Sequence, residues 1–434
     1  MTGTDRPLVS VLMPYYNGRE FMREAVQSIL DQTYENIEII VVDDASPNSQ
    51  DAGYIVKLAD ELGLTLIRHA TNKGIGHTMA DAAEASHGDF IAELSQDDLY
   101  KPEKIERQMD ELTKKELDAV YTAGDVLYQD RRELTSRDTA KTKKIIEAGA
   151  AAERLKLQNL TCISIQGLLA KRSVFERDII PIWREYLLDD WPVNIRLFER
   201  YKVGFMENPL WTSRAHGKNT SEGIWRWLGP QIEVIARMAP EPLQTEAIGN
   251  RLSSMARRLY KQQGDSEDII RLAFAGLMLT ESRQQYTKAK RVLGKIHSGR
   301  RKAIADSKAK QLQSILGSAQ EENKHPLPTG TDWRNLGKNI ADIVRTHKDG
   351  RKLHEIGRAF SSLAGNIQAK GGPPSQIIRA ALAALMLMND WHDEIIAVSL
   401  LCSVPIEDRN ELIRRKKKIL RTRSRPTLRS IFGG

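Results

Sequence analysis

The stretch VSVLMPYYNGREFMREAVQSILDQTYENIEIIVVDDASP, residues 9–47, decides the fold that the sequence predicts. An apolar run at Val9–Met13 precedes a polar turn at Asn17-Gly18, and apolar residues then recur at helical spacing before a second apolar run at Ile37–Val42. Short continuous apolar runs are typical of strands buried in a parallel sheet. Strand, helix and strand in this order therefore predict one right-handed βαβ unit.

The same alternation continues as far as about residue 94. Apolar runs at Leu64–Arg68 and Phe90–Leu94 predict two more strands, and the segments Ile55–Leu62 and Met79–Ala85 predict the helices between them. The fold class is therefore α/β, with a mainly parallel sheet. Ligands of such sheets bind beyond the carboxyl ends of the strands.

Two acidic pairs follow predicted strands directly, Asp43-Asp44 and Asp97-Asp98, so we expect both to face one cleft. Adjacent carboxylates repel each other, and a divalent cation with a preference for oxygen ligands, such as Mg²⁺ or Mn²⁺, relieves that repulsion. Taken alone, an aspartate pair is as well explained by solvated loop acids or by helix caps.

Further blocks extend the pattern: NKGIGHTMADAAEASHGDFIAELSQDD, GLLAKRSVF, LLDDWPVNIRL and SRAHGKNTS. In this order and spacing, together with the opening stretch, they resemble the family 2 glycosyltransferases over about residues 7–221. The resemblance implies the GT-A fold, which binds nucleotide sugars. It also implies a divalent cation, Mn²⁺ or Mg²⁺, and a nucleotide-diphosphate sugar as donor.

The resemblance implies a role for each matching residue around the nucleotide. Pro14 and Tyr16 would line the pocket for base and ribose, and Asp44 would accept a hydrogen bond from the base. Asp98 would bind the cation that bridges the diphosphate, and Asp97 would lie near ribose and metal.

The resemblance also implies two residues further along the chain. Asp190 would be the general base, although an acid at the start of a helix is also explained as a cap that the helix dipole favours. His216 would approach the metal and the diphosphate, or is a surface loop histidine. The chain departs from its relatives at Met79-Ala80, where many carry Arg-Asn, and at Ser95, where an acid is common.

The second half of the chain holds an internal duplication. Ile248–Leu279 aligns without gaps to Ile356–Leu387, and the same offset of 108 residues pairs Trp225–Arg237 with Trp333–Arg345. Helical periodicity dominates this half, which predicts an all-α region of about three helices per copy. We expect a structural or homo-oligomerisation module, with a role in binding an acceptor or another partner as the alternative.

These patterns divide the chain into five segments. Residues 1–224 are the expected GT-A catalytic domain, 225–296 the first helical repeat, 297–332 a polar linker, 333–405 the second helical repeat and 406–434 a basic C-terminal tail.

The net charge of +8 is concentrated at the C-terminus. Nine of the 65 Lys and Arg residues follow Glu411, where no acid occurs, so the rest of the chain holds 56 bases against 57 acids. This distribution argues against nucleic-acid binding; the tail is either a solvated arm or a contact with anionic lipid. Because Cys162 and Cys402 are far apart and no secretory signal is evident, we expect a cytoplasmic protein, with peripheral contact at the inner face of the cell membrane left open.

The expected function is an inverting, metal-dependent glycosyltransferase that acts on a hydroxyl of a glycan or lipid-linked acceptor. Because members of this family commonly act in bacterial surface polysaccharide synthesis, the resemblance implies that process. Two alternatives stay open, a non-catalytic scaffold with a degenerate transferase domain and a nucleotidyltransferase.

Overall fold

The chain forms two units, Met1–Glu222 and Gly223–Gly434. The structure is a computed structural model, and the residues it describes are 6–128, 134–136, 139–156, 163–216, 225–280, 291–293, 295–296, 298–315, 332–347, 352–388, 397–398, 400–401 and 404–421. Cys162 and Cys402 therefore lie outside the described residues, as does the last part of the basic tail, residues 422–434.

The first unit is built on one sheet, with the strand order β3-β2-β1-β4-β8-β6-β9-β5 and with β7 paired to β6. In the described part of the unit the strands are β1 (Val9–Tyr15), β2 (Ile37–Asp43), β3 (Thr65–Arg68), β4 (Phe90–Glu93), β5 (Leu99–Tyr100), β6 (Ala119–Tyr128), β7 (Leu134–Ser136), β8 (Leu168–Lys171) and β9 (Val203–Ala215).

The two halves of this sheet differ in direction. Strands β1 to β4 pair in parallel, and β1 runs beside β2 from Val9 opposite Ile37 to Tyr15 opposite Asp43, which confirms the βαβ unit predicted from the opening stretch. Beyond β4 the sheet is mixed, because β8 is antiparallel to both β4 and β6 while β6 and β9 are parallel. The sheet is thus a mixed one, less parallel than the sequence predicts.

Helices cover the sheet and bury its apolar strands. Residues of β1 and α1 share one core, in which Val11, Met13, Met22 and Val26 are fully buried. The helices of this unit are α1 (Arg19–Leu30), α2 (Ser49–Leu62), α3 (Ile75–Ala85), α4 (Lys104–Lys115), α5 (Thr139–Glu147), α6 (Ala151–Lys156), α7 (Arg172–Val174), which continues through a π-helical turn (Phe175–Ile179) into α8 (Ile180–Glu185), and α9 (Trp191–Arg200).

Strand β9 is longer than expected. The sequence predicts short strands at Val203–Met206 and Pro209–Thr212, whereas the structure has one strand to Ala215 with a register shift near Ala123 of β6. Beyond this irregularity β9 pairs with β6 again, so the last residues of β9 lie at the edge of the sheet where the acidic pairs lie.

The second unit is helical in its described residues. None of the described helices in the chain combines the length and the apolar composition needed to cross a lipid bilayer. The helices are α10 (Leu228–Met238), α11 (Glu241–Lys261), α12 (Ser266–Leu279), α13 (Ser298–Ile315), α14 (Trp333–Thr346), α15 (Lys352–Ala369), α16 (Pro374–Leu387) and α17 (Ile406–Arg421).

The duplication is visible in the packing of equivalent glycines. A Cβ at Gly249 would meet the carbonyl oxygen of Gly276 and the Cβ of Leu279. A Cβ at Gly357 would meet the carbonyl oxygen of Ala384 and the Cβ of Leu387, at the same offset of 108 residues. The two copies therefore bring their second and third helices together through the same close contact.

Equivalent helices of the two copies also pack on each other. A Cβ at Gly229 of α10 would lie 2.3 Å from the backbone nitrogen of Ala341, and a Cβ at Gly337 of α14 would lie 2.1 Å from that of Glu233. Both pairs are equivalent across the offset, since 229 corresponds to 337 and 233 to 341. The reciprocal contact is that of two copies related by a pseudo-twofold axis.

The repeat extends beyond the segments expected from sequence. Helices α13 and α17 start at equivalent positions, 298 and 406, within the stretches expected as polar linker and basic tail. Lys308 donates to the carbonyl oxygen of Met388 (3.0 Å), and its equivalent Lys416 donates to that of Thr280 (2.7 Å). Each lysine thus binds the end of the third helix of the other copy, and Lys416 is only 3% exposed.

Candidate active site

The expected nucleotide residues lie where β1 and β2 end. Pro14 is partly buried within β1, and Tyr16, just beyond that strand, is 44% exposed. The chain turns there through left-handed backbone at Asn17 (φ 50°) and, after β2, at Ala45 (φ 57°). Such backbone is costly for residues other than glycine, and strain of this kind is concentrated at functional sites.

Gln96 fixes the backbone of Tyr16. The amide nitrogen of Tyr16 donates to Oε1 of Gln96 (2.9 Å), and Nε2 of Gln96 donates back to the carbonyl oxygen of Tyr16 (3.2 Å). A Cβ at Gly18 would lie 2.0 Å from the same Oε1, so this turn needs glycine. Sequence reasoning did not single out Gln96, although it stands inside the quoted acidic motif.

Asp44 is a buried acceptor at the end of β2. Its Oδ1 accepts from Nδ1 of His69 (2.8 Å) and from the backbone nitrogen of Lys73 (2.8 Å), and its Oδ2 accepts from the backbone nitrogen of Gly74 (2.9 Å). The loop after β3 therefore encloses the carboxylate and fixes its orientation.

Asp98 and Asp97 differ in their surroundings. Asp98 is 6% exposed and accepts from the backbone nitrogen of Arg214 (3.0 Å), and burial, with Asp97 adding to it, raises the pKa of Asp98 to about 7. Asp97 pairs instead with Nε2 of His216 (2.9 Å). The structure thus brings all three expected residues together, and the hydrogen bond of His216 is with Asp97.

Arg214, at the end of β9, holds the acidic pair in place. Its Nε donates to the carbonyl oxygen of Asp97 (3.1 Å), and its Nη2 forms an ion pair with Glu24 (2.6 Å). The guanidinium lies 4.8 Å from the ring centre of Phe21, which also stacks on His216 at 4.7 Å. The sequence motif SRAHGKNTS contained this arginine, but only the strand pairing reveals its role.

The acidic pair offers the ligand chemistry of a hard divalent cation. Carboxylate oxygens suit Mg²⁺ or Mn²⁺, and a cation would offset the cost of a buried charge at Asp98 beside Asp97. Within the described ranges, no group of three or more His, Cys, Asp or Glu side chains has the arrangement of a metal site. The residues fit a cation held partly by a bound diphosphate, since Mg²⁺ commonly keeps few protein ligands.

A second pair of carboxyls, Asp189-Asp190, heads α9. Asp190 is the N-cap residue and accepts from the backbone nitrogen of Trp191 (2.5 Å), as the alternative interpretation of this acid expected. Burial raises the pKa values of both carboxyls, and Asp190 raises that of Asp189 further. A carboxylate that caps a helix can still accept a proton, so the cap and the base are compatible.

Glu93, the last residue of β4, connects the two pairs. Its side chain is 2% exposed, and no hydrogen-bond partner of its Oε2 occurs among the described residues. Burial raises the pKa of Glu93 well above its ordinary value, and Asp189, Asp190 and Asp98 raise it further. Asp98, Asp189 and Asp190 therefore all lie within electrostatic reach of the Glu93 carboxyl, which links the expected metal side of the site to the expected base side.

This arrangement coincides with a family match over most of the first unit. Residues 10–179 match the model of glycosyl transferase family 2. The N-terminal unit thus carries a family 2 glycosyltransferase domain. The matched residues include Asp44, Glu93 and the pair Asp97-Asp98, whereas Asp190 and His216 lie after the matched range.

Named relatives of the family 2 domain include bacterial glycosyltransferases. An uncharacterized glycosyltransferase of Rickettsia felis is 41% identical over 109 residues, which are 25% of this chain and 18% of that protein. The putative teichuronic acid biosynthesis glycosyltransferase TuaG of Bacillus subtilis is 31% identical over 126 residues, 29% of this chain and 50% of TuaG. The chain therefore spans at most half of these relatives.

A solved structure also matches the chain. The crystal structure of S. aureus TarS 1-349 in complex with UDP-GlcNAc matches with a TM-score of 0.47 and 14% sequence identity, over 65% of this chain and 83% of that chain.

Proposed function

We propose that the family 2 domain transfers a sugar from a nucleoside diphosphate donor to a hydroxyl acceptor, with inversion and with the help of a divalent cation. The observation that carries this proposal is Asp98, buried beside Asp97 within the range that matches the family, together with the acid pair Asp189-Asp190 that heads α9. One acid pair serves the leaving group and the other serves the acceptor.

The leaving group defines the first requirement of the reaction. When the bond between sugar and diphosphate breaks, negative charge develops on the diphosphate, and a bound Mg²⁺ or Mn²⁺ would stabilise it. Asp98 would hold this cation, with Asp97 and His216 beside it. Arg214 keeps the segment rigid through its bonds to Asp97 and Glu24.

The acceptor defines the second requirement. A sugar hydroxyl is a weak nucleophile until a positioned base removes its proton. Asp190 would be this base, and burial raises its pKa, which makes its carboxylate a stronger base. Attack from the side opposite the diphosphate in a single displacement inverts the anomeric carbon.

The donor would lie along the edge formed by β1 and β2. Tyr16 presents an exposed ring next to Pro14, which suits contact with base and ribose. Asp44 would accept a hydrogen bond from the base. The sugar and the diphosphate would then extend toward Asp97 and Asp98.

The test is a donor screen that measures release of nucleoside diphosphate with Mn²⁺ on the full chain. We expect Asp98→Ala to abolish metal-dependent release, and Asp190→Asn to lower kcat by about 10²–10⁴-fold while donor binding is kept. Asp60→Asn, at an exposed position of α2, is the matched control. Full turnover by Asp190→Asn would instead favour a nucleotidyltransferase.

Calorimetry with UDP and Mn²⁺ separates the enzyme from a scaffold. A degenerate transferase domain that only recruits partners is expected to bind neither. The burial of Asp98 beside Asp97 favours the enzyme, because a buried acid next to a second acid is costly without a ligand to compensate it.

We further propose a glycan or lipid-linked acceptor in bacterial surface polysaccharide synthesis, because the relative TuaG is a putative teichuronic acid biosynthesis glycosyltransferase. Homo-oligomerisation through the helical repeats stays a proposal, with light scattering as its test.

We propose contact with anionic lipid only for residues 422–434, since Leu412, Ile413 and Lys416 are buried within α17. Deletion of 422–434 is expected to weaken binding to anionic vesicles.

A further inference from the structure

The carboxylate of Asp44 is nearly saturated with donors. Oδ1 accepts from His69 and from the backbone of Lys73, while Oδ2 accepts from the backbone of Gly74. A carboxylate oxygen has two lone-pair sites, so Oδ1 is filled and Oδ2 has room for one more donor. The geometry leaves a single acceptor site, in a fixed direction.

His69 is the only side chain among these donors, and it is itself held from behind. Its ring is 4% exposed, and its Nε2 lies 2.8 Å from Oδ2 of Asp81 on α3. Both ring nitrogens thus face carboxylate oxygens. Because Nδ1 lies 2.8 Å from Oδ1 of Asp44, the held ring fixes the position of that oxygen.

Asp81 in turn is fixed by two cations. Nζ of Lys73 lies 2.8 Å from its Oδ2, and Nη2 of Arg184 on α8 forms an ion pair with its Oδ1. These partners lower the pKa of Asp81 to about 2, so this carboxyl remains ionised at neutral pH. Arg184 therefore fixes Asp81, Asp81 faces His69, and His69 contacts Asp44 of the proposed nucleotide site.

We propose that His69 is a positioning residue for recognition of the nucleobase. It keeps Asp44 oriented so that Oδ2 can accept one more hydrogen bond, and the site therefore selects a base with a ring N–H group, such as uracil or guanine, and rejects cytosine. This inference rests on the proposed function, since it assumes that Asp44 meets the base.

The selection follows from hydrogen-bond counting. The N3 position of uracil carries a proton and can donate to Oδ2 of Asp44, whereas N3 of cytosine carries a lone pair that faces the carboxylate. A site built to receive a donor rejects an analogue that lacks it, because a buried acceptor is then left unpaired. If Asp44 turned or took up a proton, this discrimination would be lost.

The test is calorimetry of UDP, GDP and CDP with Mn²⁺ on the full chain. The variants are His69→Leu, which removes both nitrogens, His69→Gln, which restores one donor, and Asp81→Asn. His87→Gln is the matched control, because His87 is an exposed histidine that pairs with Glu38 outside this network. Thermal melting shows which variants fold.

We expect the unaltered chain to bind UDP or GDP in preference to CDP. His69→Leu should weaken that binding by about tenfold and reduce the preference over CDP, with the donor KM raised and kcat little changed. His69→Gln should recover part of both effects, and Asp81→Asn should show a smaller loss. A merely structural role would lower stability without changing the preference between bases.

Two outcomes overturn the inference. One is an unaltered chain that prefers CDP. The other is a folded His69→Leu, or a folded Asp81→Asn if His69→Leu fails to fold, that keeps the affinity and the preference of the unaltered chain. A chain that binds none of the three nucleotides refutes the proposed function itself, and the role of His69 with it.

Discussion

Replacement of Glu93 by glutamine is expected to remove a pH-dependent loss of stability from the first unit. In the folded chain burial holds the pKa of this carboxyl well above its ordinary value, and the nearby Asp189, Asp190 and Asp98 act in the same direction. The unfolded chain releases the proton at a pKa of about 4.3. Between the two pKa values the folded state keeps a proton that the unfolded state has lost.

The sign follows from that difference. Because the native state binds more protons in this window, the free energy of unfolding falls as pH rises through it. One group contributes up to about 1.4 kcal/mol for each pH unit of the window. Glutamine has the same shape and no titration, so the variant lacks this slope and gains stability relative to the unaltered chain from pH 5 upward.

Hydrogen exchange measured by mass spectrometry provides the assay, because protection of peptides from β1 and β4 reports the opening of the first unit alone. Protection is compared at several pH values between 5 and 8 for the unaltered chain, Glu93→Gln and the exposed control Glu35→Gln. The difference between the first two should widen with pH, while Glu35→Gln should follow the unaltered chain. A difference that is constant with pH would refute the assignment of Glu93 as a buried, protonated carboxyl.

Three further predictions concern packing, charge and the acidic loop. Gly337→Ala should lower the free energy of unfolding of the second unit by about 1–3 kcal/mol, seen as a lower melting temperature, because its Cβ would press on the backbone of α10. The control Gly53→Ala on α2, with open space around it, should be neutral or stabilising by up to about 1 kcal/mol. Asp81→Asn should cost about 2 kcal/mol at neutral pH, and urea unfolding at decreasing pH should show this difference vanish as the unaltered carboxyl is protonated toward pH 2. Arg214→Met should weaken binding of UDP with Mn²⁺ in calorimetry by about tenfold, and an unchanged affinity would show that Arg214 does not organise Asp97.

Local patterns were sufficient to predict the elements and the edge of the sheet where the acids lie. The run Ile37–Val42 and the acids that follow it carry both facts, because the strand β2 ends at the first of these acids, Asp43. Asp44 and Asp98 are buried at this edge, and Asp97 is partly buried there. Their roles in binding stay predictions.

The partners of these acids could not be predicted in the same way. Asp98 meets the backbone of Arg214, which is 116 residues further along the chain, and this contact depends on the order of strands in the mixed half of the sheet. One acid, Glu93, interrupts the apolar run FIAEL, and this pattern could have indicated a buried functional carboxyl. Only the structure shows that Glu93 is buried and within electrostatic reach of three aspartates.

Charge also misled the interpretation of the second half. A segment rich in Lys and Arg suggests a solvated arm, yet Lys416 and its equivalent Lys308 are both buried. Their amino groups end at backbone carbonyl oxygens of the opposite copy. A buried lysine needs acceptors, and the carbonyl groups at helix ends supply them here.

The pseudo-twofold packing of the helical unit has a consequence for how it can change. In a homodimer every substitution occurs twice, once on each side of the axis, so the two halves of the interface cannot change separately. Joined in one chain, the halves meet at an effective concentration that dilution cannot lower, and each side mutates independently. The crossing of α10 and α14 already has a glutamate at position 233 and an alanine at the equivalent position 341. A fused pair can therefore differentiate its two faces while the contact that joins them is kept.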